Sequence, residues 1–510
     1  MLLLRGLLVL LPGLAACRPE PAPLRVSVVG DVLLARGVPA ALARDSAALG
    51  RTAAGLWADS RYVVGNLECP LTATGRPARK RIVFRGAPGY AGWLRRLGFT
   101  HLSLANNHTL DQGPAGLHAT ARVLRGAGLG PLGYAADSLA GCHPVLLGPD
   151  SSVAVLAYSA LRQRLPGEAC VCGRDFAALC ERVAAYKTLF PARALLVYLH
   201  WGTEYTAQPG PEQRRQARQL IDCGADAVLG AHPHVVQPAE LYRGRPILYS
   251  LGNFLFDQRN PEAGTHLALQ ADFDLRAGRV VATYLRPLRL YGAMPARATG
   301  RDAAQLLARL RDATGSSRLS TERRGGWRLL SAPAAEQEPA PPAPDFFARE
   351  LTLPDSAGQP VRVRLRYLPV NGYYQALTRA GDTESVLPLG FPVYRLTQGD
   401  VDNDGRPDLL VGPVKRTHFD STLRRRLFVY RLEAGRWQPR WLGSRVGYRL
   451  LYFKTTPDAR TGRTLVRTVE QLPNGRYAIG QYYWQGFGLL LDRFTHRDLS
   501  LDAAYRHFID

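Results

Sequence analysis

The chain has 510 residues, 46% hydrophobic and 21% charged, with a formal net charge of +23. That balance excludes a disordered chain, and the length exceeds one ordinary core, so roughly two to three domains are expected. The positive excess is almost wholly scattered arginine with no helix-turn-helix, zinc-finger or RNA-binding signature, which argues against nucleic acid and leaves an acidic polymer or anionic lipid as the polyanion it could attract.

Residues 1–16 carry one cation, Arg5, an apolar stretch from Leu7 to Leu14, and the ending Leu14-Ala15-Ala16-Cys17. The stretch is too short to span a bilayer as a helix and suits the core of a signal peptide. Its ending resembles the bacterial lipobox, in which cleavage precedes the cysteine and the sulfur is acylated. Cys17 is therefore expected to be the lipidated first residue of a mature protein anchored in the cell envelope, periplasmic or surface-exposed. Residues 17–23, with Pro19, Pro21 and Pro23, read as a stiff tether. In such an oxidising space Cys142, Cys170, Cys172 and Cys180 suggest a disulfide-stapled loop of open connectivity, because their spacing does not fit paired CxxC zinc sites. Cys223 reads as a buried core thiol.

From Leu24 to about Asn253, short Val-, Leu- and Ile-rich runs alternate with helical segments. The runs are Leu24 to Val29, Tyr62 to Val64, Thr100 to Leu104, Val153 to Tyr158, Ala194 to Leu199, Ala227 to Leu229 and Ile247 to Leu251. The helical segments include Pro88 to Leu97, Pro114 to Arg125 and Pro211 to Cys223. This alternation predicts a largely parallel sheet covered by helices, with the ligand crevice beyond the carboxyl ends of its strands. Thr299 to Arg311 reads as a closing helix. The first domain is expected to span 24–330, an Ala/Pro/Glu-rich linker 331–345, and a smaller β-rich domain 346–510.

Five polar islands stand at the ends of those apolar runs: Gly30-Asp31, Asn66-Leu67-Glu68, Asn106-Asn107-His108, His200-Trp201-Gly202 and His232-Pro233-His234. Hard divalent ions take carboxylate and carbonyl oxygens, and borderline ions such as Zn, Fe and Mn also take imidazole. Asp31, Glu68, Asn107, His200, His232 and His234 offer that mixture, enough for one or two ions. Two ions sharing a carboxylate clamp a phosphoryl or acyl oxygen and activate a water. Singly, each residue is as well explained as a helix cap or a hydrogen-bonded core group. Together they point to one polar site. His101, His118, His143 and His266 are read as structural.

These islands, with Gly230-Ala231-His232-Pro233-His234 and Ser250-Leu251-Gly252-Asn253-Phe254, resemble the CapA family of poly-γ-glutamate capsule synthesis over roughly residues 24 to 300. That family's domain in turn resembles the calcineurin-type metallophosphoesterases. The resemblance implies an α/β fold, an αββα sandwich with a two-metal site. By position it implies that Asp31 and His234 serve the first metal, that Asn107, His200 and His232 serve the second, and that Glu68 bridges. His108 would be the transition-state stabiliser or general acid. In metallophosphoesterases a His usually stands two residues after the first Asp, and here that position is Leu33, so the first metal lacks a ligand. Arg36, Arg85 and Arg95 are candidate anion contacts.

Beyond the linker, Val361 to Leu368, Leu427 to Leu432 and Tyr477 to Trp484 read as strands. Asp400, Asp402, Asp404 and Asp408 alternate in a Gly399 to Asp408 segment, with Gly405 permitting a tight turn, which is a calcium-loop pattern. Val411 stands where an EF-hand needs Glu, and the segment more closely resembles the DxDxDGxxD loops of FG-GAP or integrin-type blades. The expected function is an anchored protein acting in synthesis, export, release or anchoring of an anionic polymer through a divalent-metal site of metallophosphoesterase type. If catalytic, it would be a metal-dependent hydrolase of a phosphoester or amide-type bond. The alternatives are a non-catalytic scaffold of a polymer-synthesis machine, and a polymer-binding role led by the β domain.

Overall fold

A computed structural model describes residues 23–134, 142–148, 152–161, 171–173, 175–258, 260, 264–310, 317–322, 326–331, 350–355, 358–368, 373–380, 383–417, 420–433, 435–443 and 446–510. The signal segment, Cys17, all but the last residue of the tether, Cys170 and all but the first residue of the expected linker lie outside the described residues.

The first region runs β1 (Leu24–Val32), α1 (Val38–Leu56), β2 (Tyr62–Leu67), α2 (Tyr90–Arg96), β3 (His101–Ser103), α3 (Gly113–Gly126), β4 (Gly130–Leu132), β5 (Val145–Leu146), β6 (Val153–Ser159), α4 (Phe176–Leu189), β7 (Ala194–His200), α5 (Pro211–Asp222) and β8 (Ala227–Ala231). Strands β1 to β4 pair in parallel in a ten-stranded sheet, which continues from β1 through the antiparallel hairpin Leu267–Arg276 and Arg279–Tyr291. Strands β6, β7 and β8 are parallel in a separate six-stranded sheet. The expected parallel sheet covered by helices is thus two sheets stacked face to face, with α1, α2 and α3 outside one and α4 and α5 outside the other, while the helix Gly300–Leu310 packs Leu306 and Leu310 into the core between them.

Side-chain alternation shows why. In β6, Val153, Val155 and Ala157 join the core between the sheets, while Ala154, Leu156 and Tyr158 face α4. Strand β7 repeats this, with Ala194, Leu196 and Tyr198 inward and Leu195, Val197 and Leu199 outward. Each strand is buried on both faces, so its sequence is continuously apolar and hides the period of two. In the other sheet, Val26, Val28 and Val64 point to the shared core, and Val29, Val32 and Val63 to α1, α2 and α3. The result is four layers, helices, sheet, sheet, helices.

The second region holds three antiparallel sheets of four, five and four strands, and ends in the helix Leu501–Ile509. It does not stand apart. One core joins Leu179, Val183 and Tyr186 of α4 to Tyr452, Phe453, Tyr505 and Phe508. Buried Arg395 forms an ion pair with Glu181 of α4 at 2.5 Å, and Arg193 pairs with Asp502 at 2.8 Å. This contact was not legible in the sequence, because it is made by residues that read as ordinary core in each part. Of the clustered cysteines, Cys142 bonds to Cys172, while Cys180 and Cys223 are buried free thiols.

Candidate metal centre

The five islands converge at the carboxyl ends of β1, β2, β3, β7 and β8. Two glycines let the strand ends meet: a Cβ on Gly30 would lie 1.8 Å from the Gly252 carbonyl oxygen, and one on Gly230 would lie 1.8 Å from that of Tyr249. Asp31, which follows Gly30, is fully buried. Its Oδ1 accepts from Asn66 Nδ2 at 2.8 Å and its Oδ2 from the His232 backbone N–H at 3.2 Å. His234 Nδ1 lies 3.3 Å from the same Oδ2 and 2.9 Å from Asn253 Oδ1. Burial alone would raise the Asp31 carboxyl, but the bond from His234, the imidazoles of His234 and His200, and Asn66 hold it at about 2.

Glu68 is the anomaly of the site. It is fully buried, and neither carboxylate oxygen has a hydrogen-bond partner. Its Oε1 lies 3.7 Å from His234 Nε2 and 4.0 Å from His200 Nε2, beyond hydrogen-bond reach. Burial, reinforced by Asp31, pushes its carboxyl well above the usual range. Buried acceptors are ordinarily paired, so a carboxylate without partners among imidazoles and a second carboxylate has the character of a ligand set arranged for a cation.

His200 Nε2 lies 2.8 Å from Asn107 Oδ1, and its Nδ1 lies 3.3 Å from Asn66 Nδ2. One neutral tautomer, protonated at Nε2, satisfies both contacts. Burial, then neighbouring His232, keeps His200 well below its ordinary pKa, and burial brings His232 to about 4. Both imidazoles are therefore neutral near pH 7, each with one nitrogen lone pair, which at His200 accepts from Asn66. His232 Nδ1 is buried and unpartnered. His232 and His234 also adopt positive φ, 95° and 58°, a strain that non-glycine residues carry mainly where surrounding structure enforces it at functional sites.

Two groups of side chains place one ligand atom each within 4.8 Å of one another: Glu68, His200 and His232, and Asp31, Glu68 and His234. Glu68 belongs to both. A third group, Glu204, His232 and His234, meets the same criterion, and Glu204 is the exposed one of the three. Sequence reasoning missed Glu204, although it stands two residues past the His200-Trp201-Gly202 island. Leu33 is packed in the core beneath α1 and contributes nothing to the site.

His108 is not among these groups. Its Nδ1 lies 2.8 Å from Oδ2 of fully buried Asp111 and 3.4 Å from Lys80 Nζ, and Lys80 also pairs with Asp111. Asp111 further accepts from the Phe84 N–H at 2.6 Å, and the Phe84 ring lies 4.2 Å from that of His108. Nε2 is the nitrogen of His108 left for other partners. Burial lowers the pKa of His108 in spite of Asp111. Asn106 braces the island by donating to Asn66 Oδ1 and the Leu67 carbonyl at 3.1 and 2.8 Å. Of the candidate anion contacts, Arg36 pairs with Asp257 and lies over the rings of Phe84 and Phe256, whose neighbours are His108 and His234. Arg85 is held by Gln112, and Arg95 stands in the last turn of α2.

In the second region, Arg431 occupies the interior of the aspartate loop. Its Nη2 lies 2.8 Å from Asp402 Oδ1 and 2.6 Å from Asp408 Oδ1, its Nη1 2.5 Å from Asp404, and Arg440 meets Asp402 at 3.0 Å. Asp400 closes the turn by accepting from the N–H groups of Asp404 and Gly405 at 3.0 and 2.8 Å. Asp400, Asp402 and Asp404 each place an oxygen within 4.8 Å of the others.

Comparison with known proteins agrees with the first region. Residues 25–258 match the family described as "Bacterial capsule synthesis protein PGA_cap". The chain is 31% identical to the PGA biosynthesis protein CapA of Bacillus subtilis over 46% of this chain and 64% of that protein. It is 30% identical to the capsule biosynthesis protein CapA of Bacillus anthracis, over 47% and 61%. It is 32% identical to a probable polyglutamine synthesis accessory protein of Mycobacterium tuberculosis, over 44% and 65%. The chain thus spans just under two thirds of the length of these relatives. A fucose lectin from Kordia zhangzhouensis is 13% identical over 28% of this chain and 98% of that one, with a TM-score of 0.19, too low to bear on fold or function.

Proposed function

From the premise that residues 25–258 are homologous to CapA proteins, we propose that the chain is a metal-dependent protein of anionic-polymer handling, acting in synthesis, export, release or anchoring of a poly-γ-glutamate-like chain. The observation that carries the metal part is Glu68, a buried carboxylate without partners, shared between two groups of possible ligands. In this reading Asp31, Glu68 and His234 hold one ion, and Glu68, His200 and His232, with Asn107, hold another. Glu204 compensates for the ligand missing at Leu33. Manganese, zinc and iron suit such mixed oxygen and imidazole donors.

A divalent ion held there supplies a Lewis acid and an activated water. The chain's own residues then do the rest. Asp111 fixes His108 by its Nδ1, leaving Nε2 to give a proton to a departing oxygen or nitrogen. Asn107 bridges His108 and His200 in sequence and space, so the general acid and the ligand set move as one unit. Arg36 borders both the His108 and the His234 sides of the site and attracts an anionic substrate.

The proposal includes a lipid anchor at Cys17 in the cell envelope and a module boundary near residue 330. Among the described residues no helix is long and apolar enough to cross a membrane. Calcium is the proposed ion of Asp400, Asp402, Asp404 and Asp408. Arg431 and Arg440 already neutralise half of those four charges, so calcium binding there is weak and unnecessary for folding.

A second reading, a scaffold without catalysis, is favoured by Leu33, which gives a hydrophobic core contact where a ligand is expected. The two part on one experiment. Purified protein is assayed on chromogenic phosphoesters and on poly-γ-glutamate, with manganese or EDTA, beside His108→Ala. Metal-dependent turnover that falls about 100-fold or more in His108→Ala supports hydrolysis. No turnover, with His108→Ala still complementing a deletion strain, supports the scaffold.

A further inference from the structure

A cleft of about 530 Å³ opens on the last sheet of the second region. Four arginines line it, Arg460, Arg463, Arg467 and Arg493, together with Gln481 and Tyr483. The register explains the clustering. Arg467 faces Gln481 across one strand pair, and Gln481 faces Arg493 across the next, so the three form a polar row over three strands. Their neighbours Val466 and Tyr482 point to the opposite face and enter the core.

The acids nearby do not absorb this charge. Asp458 is engaged by its own turn, accepting from the Arg460 N–H at 3.1 Å and from Thr461 Oγ1 at 2.8 Å. Its distance to Arg460 Nε is 3.9 Å, and that of Asp492 to Arg493 Nε is 3.8 Å, both loose and the second exposed on both sides. Arg463 makes no ion pair among the described residues. Arg467 gives one N–H to the His507 carbonyl, which fixes its guanidinium, while its Nε is buried without a partner, as is Gln481 Oε1. Fixed guanidinium forks suit carboxylate and phosphate, and a volume of a few hundred Å³ suits a small ligand or a short polymer segment.

We propose that this cleft is a second binding site, separate from the metal centre, for a short run of carboxylates on an anionic polymer. The choice of carboxylate over phosphate rests on the proposed function. The second region then holds the chain on which the first region acts.

The test is calorimetric titration of the full-length protein with short γ-linked glutamate oligomers, with inorganic phosphate, and with neutral dextran. An Arg463→Gln, Arg493→Gln double variant changes two exposed side chains, and circular dichroism with a melting curve checks its fold. The expected result is salt-sensitive oligomer binding that weakens at least about tenfold in the double variant, since two charge-assisted contacts are lost. The part of the binding that the double variant removes should persist in EDTA and in His232→Ala, so failure of the metal centre and failure of the cleft are read separately. Equal binding in wild type and double variant, loss in His232→Ala instead, or no oligomer binding by the wild type overturns the proposal. Phosphate binding at these arginines without oligomer binding overturns the carboxylate assignment.

Discussion

The molecule holds two clusters of acids, both expected from the sequence to hold a metal ion, that differ in how their charge is balanced. At the end of β2, Glu68 is fully buried with no hydrogen-bond partner on either oxygen. In the second region, Asp402, Asp404 and Asp408 surround Arg431, so the cation is part of the chain. A carboxylate cluster therefore implies a metal only when no cationic side chain has already entered it. The first cluster has neutral imidazoles at His200 and His232 and a buried carboxylate without a hydrogen-bond partner. The second has an internal guanidinium.

The largest effect is expected at Arg431. Arg431→Met leaves buried Asp408 without its cation and should lower stability by about 3–5 kcal/mol, the usual cost of removing one partner from a buried ion pair. Calcium should restore part of that loss in the variant, read by thermal melts with calcium or EDTA. If Arg431→Met is as stable as wild type, the internal-cation side of the comparison is broken.

Next in size is Glu68→Gln. With metal at about 100 times its dissociation constant, wild type should gain about 2.7 kcal/mol. The variant should gain under about 0.5 kcal/mol if Glu68 is the shared ligand. Without metal the order changes with pH. The Glu68 carboxyl is raised in the folded state, so the folded protein keeps a proton that the unfolded chain releases near 4.5. The resulting stability is present below 4.5 and is lost as pH rises toward the folded value. Metal-free wild type should therefore lose stability relative to Glu68→Gln as pH rises above 4.5, which paired chemical denaturations would show.

A smaller effect is expected at Glu204. Glu204→Gln, at an exposed position, should weaken metal affinity about tenfold while leaving metal-free stability within about 0.5 kcal/mol. Unchanged affinity would remove Glu204 from the ligand set. Smallest is calcium added to wild type, expected to shift stability by under about 0.5 kcal/mol because Arg431 already fills the loop.

Much of this was legible in the chain itself. The islands could be found because strand ends interrupt long apolar runs, and polar residues there have nowhere to go but a crevice. The αββα layering came from the resemblance, since strands buried on both faces carry no period of two, and the alternation of Val153, Val155 and Ala157 against Ala154, Leu156 and Tyr158 appears only in three dimensions. The hairpin of Leu267–Arg276 and Arg279–Tyr291 was missed, its Asp272, Asp274 and Arg286 masking strand character while pairing across the sheet. Asp111 was missed although it stands three residues past His108. Arg431 could not be found from sequence, being 23 residues from Asp408 and one arginine among many.

The most direct test is where a metal goes. Crystals of metal-free protein soaked in manganese, measured for anomalous scattering, should show an ion bonded to Glu68 and to at least one of His200, His232 and His234. An ion found only at Asp400, Asp402 and Asp404, or no ion at Glu68 under saturating manganese, would contradict the account.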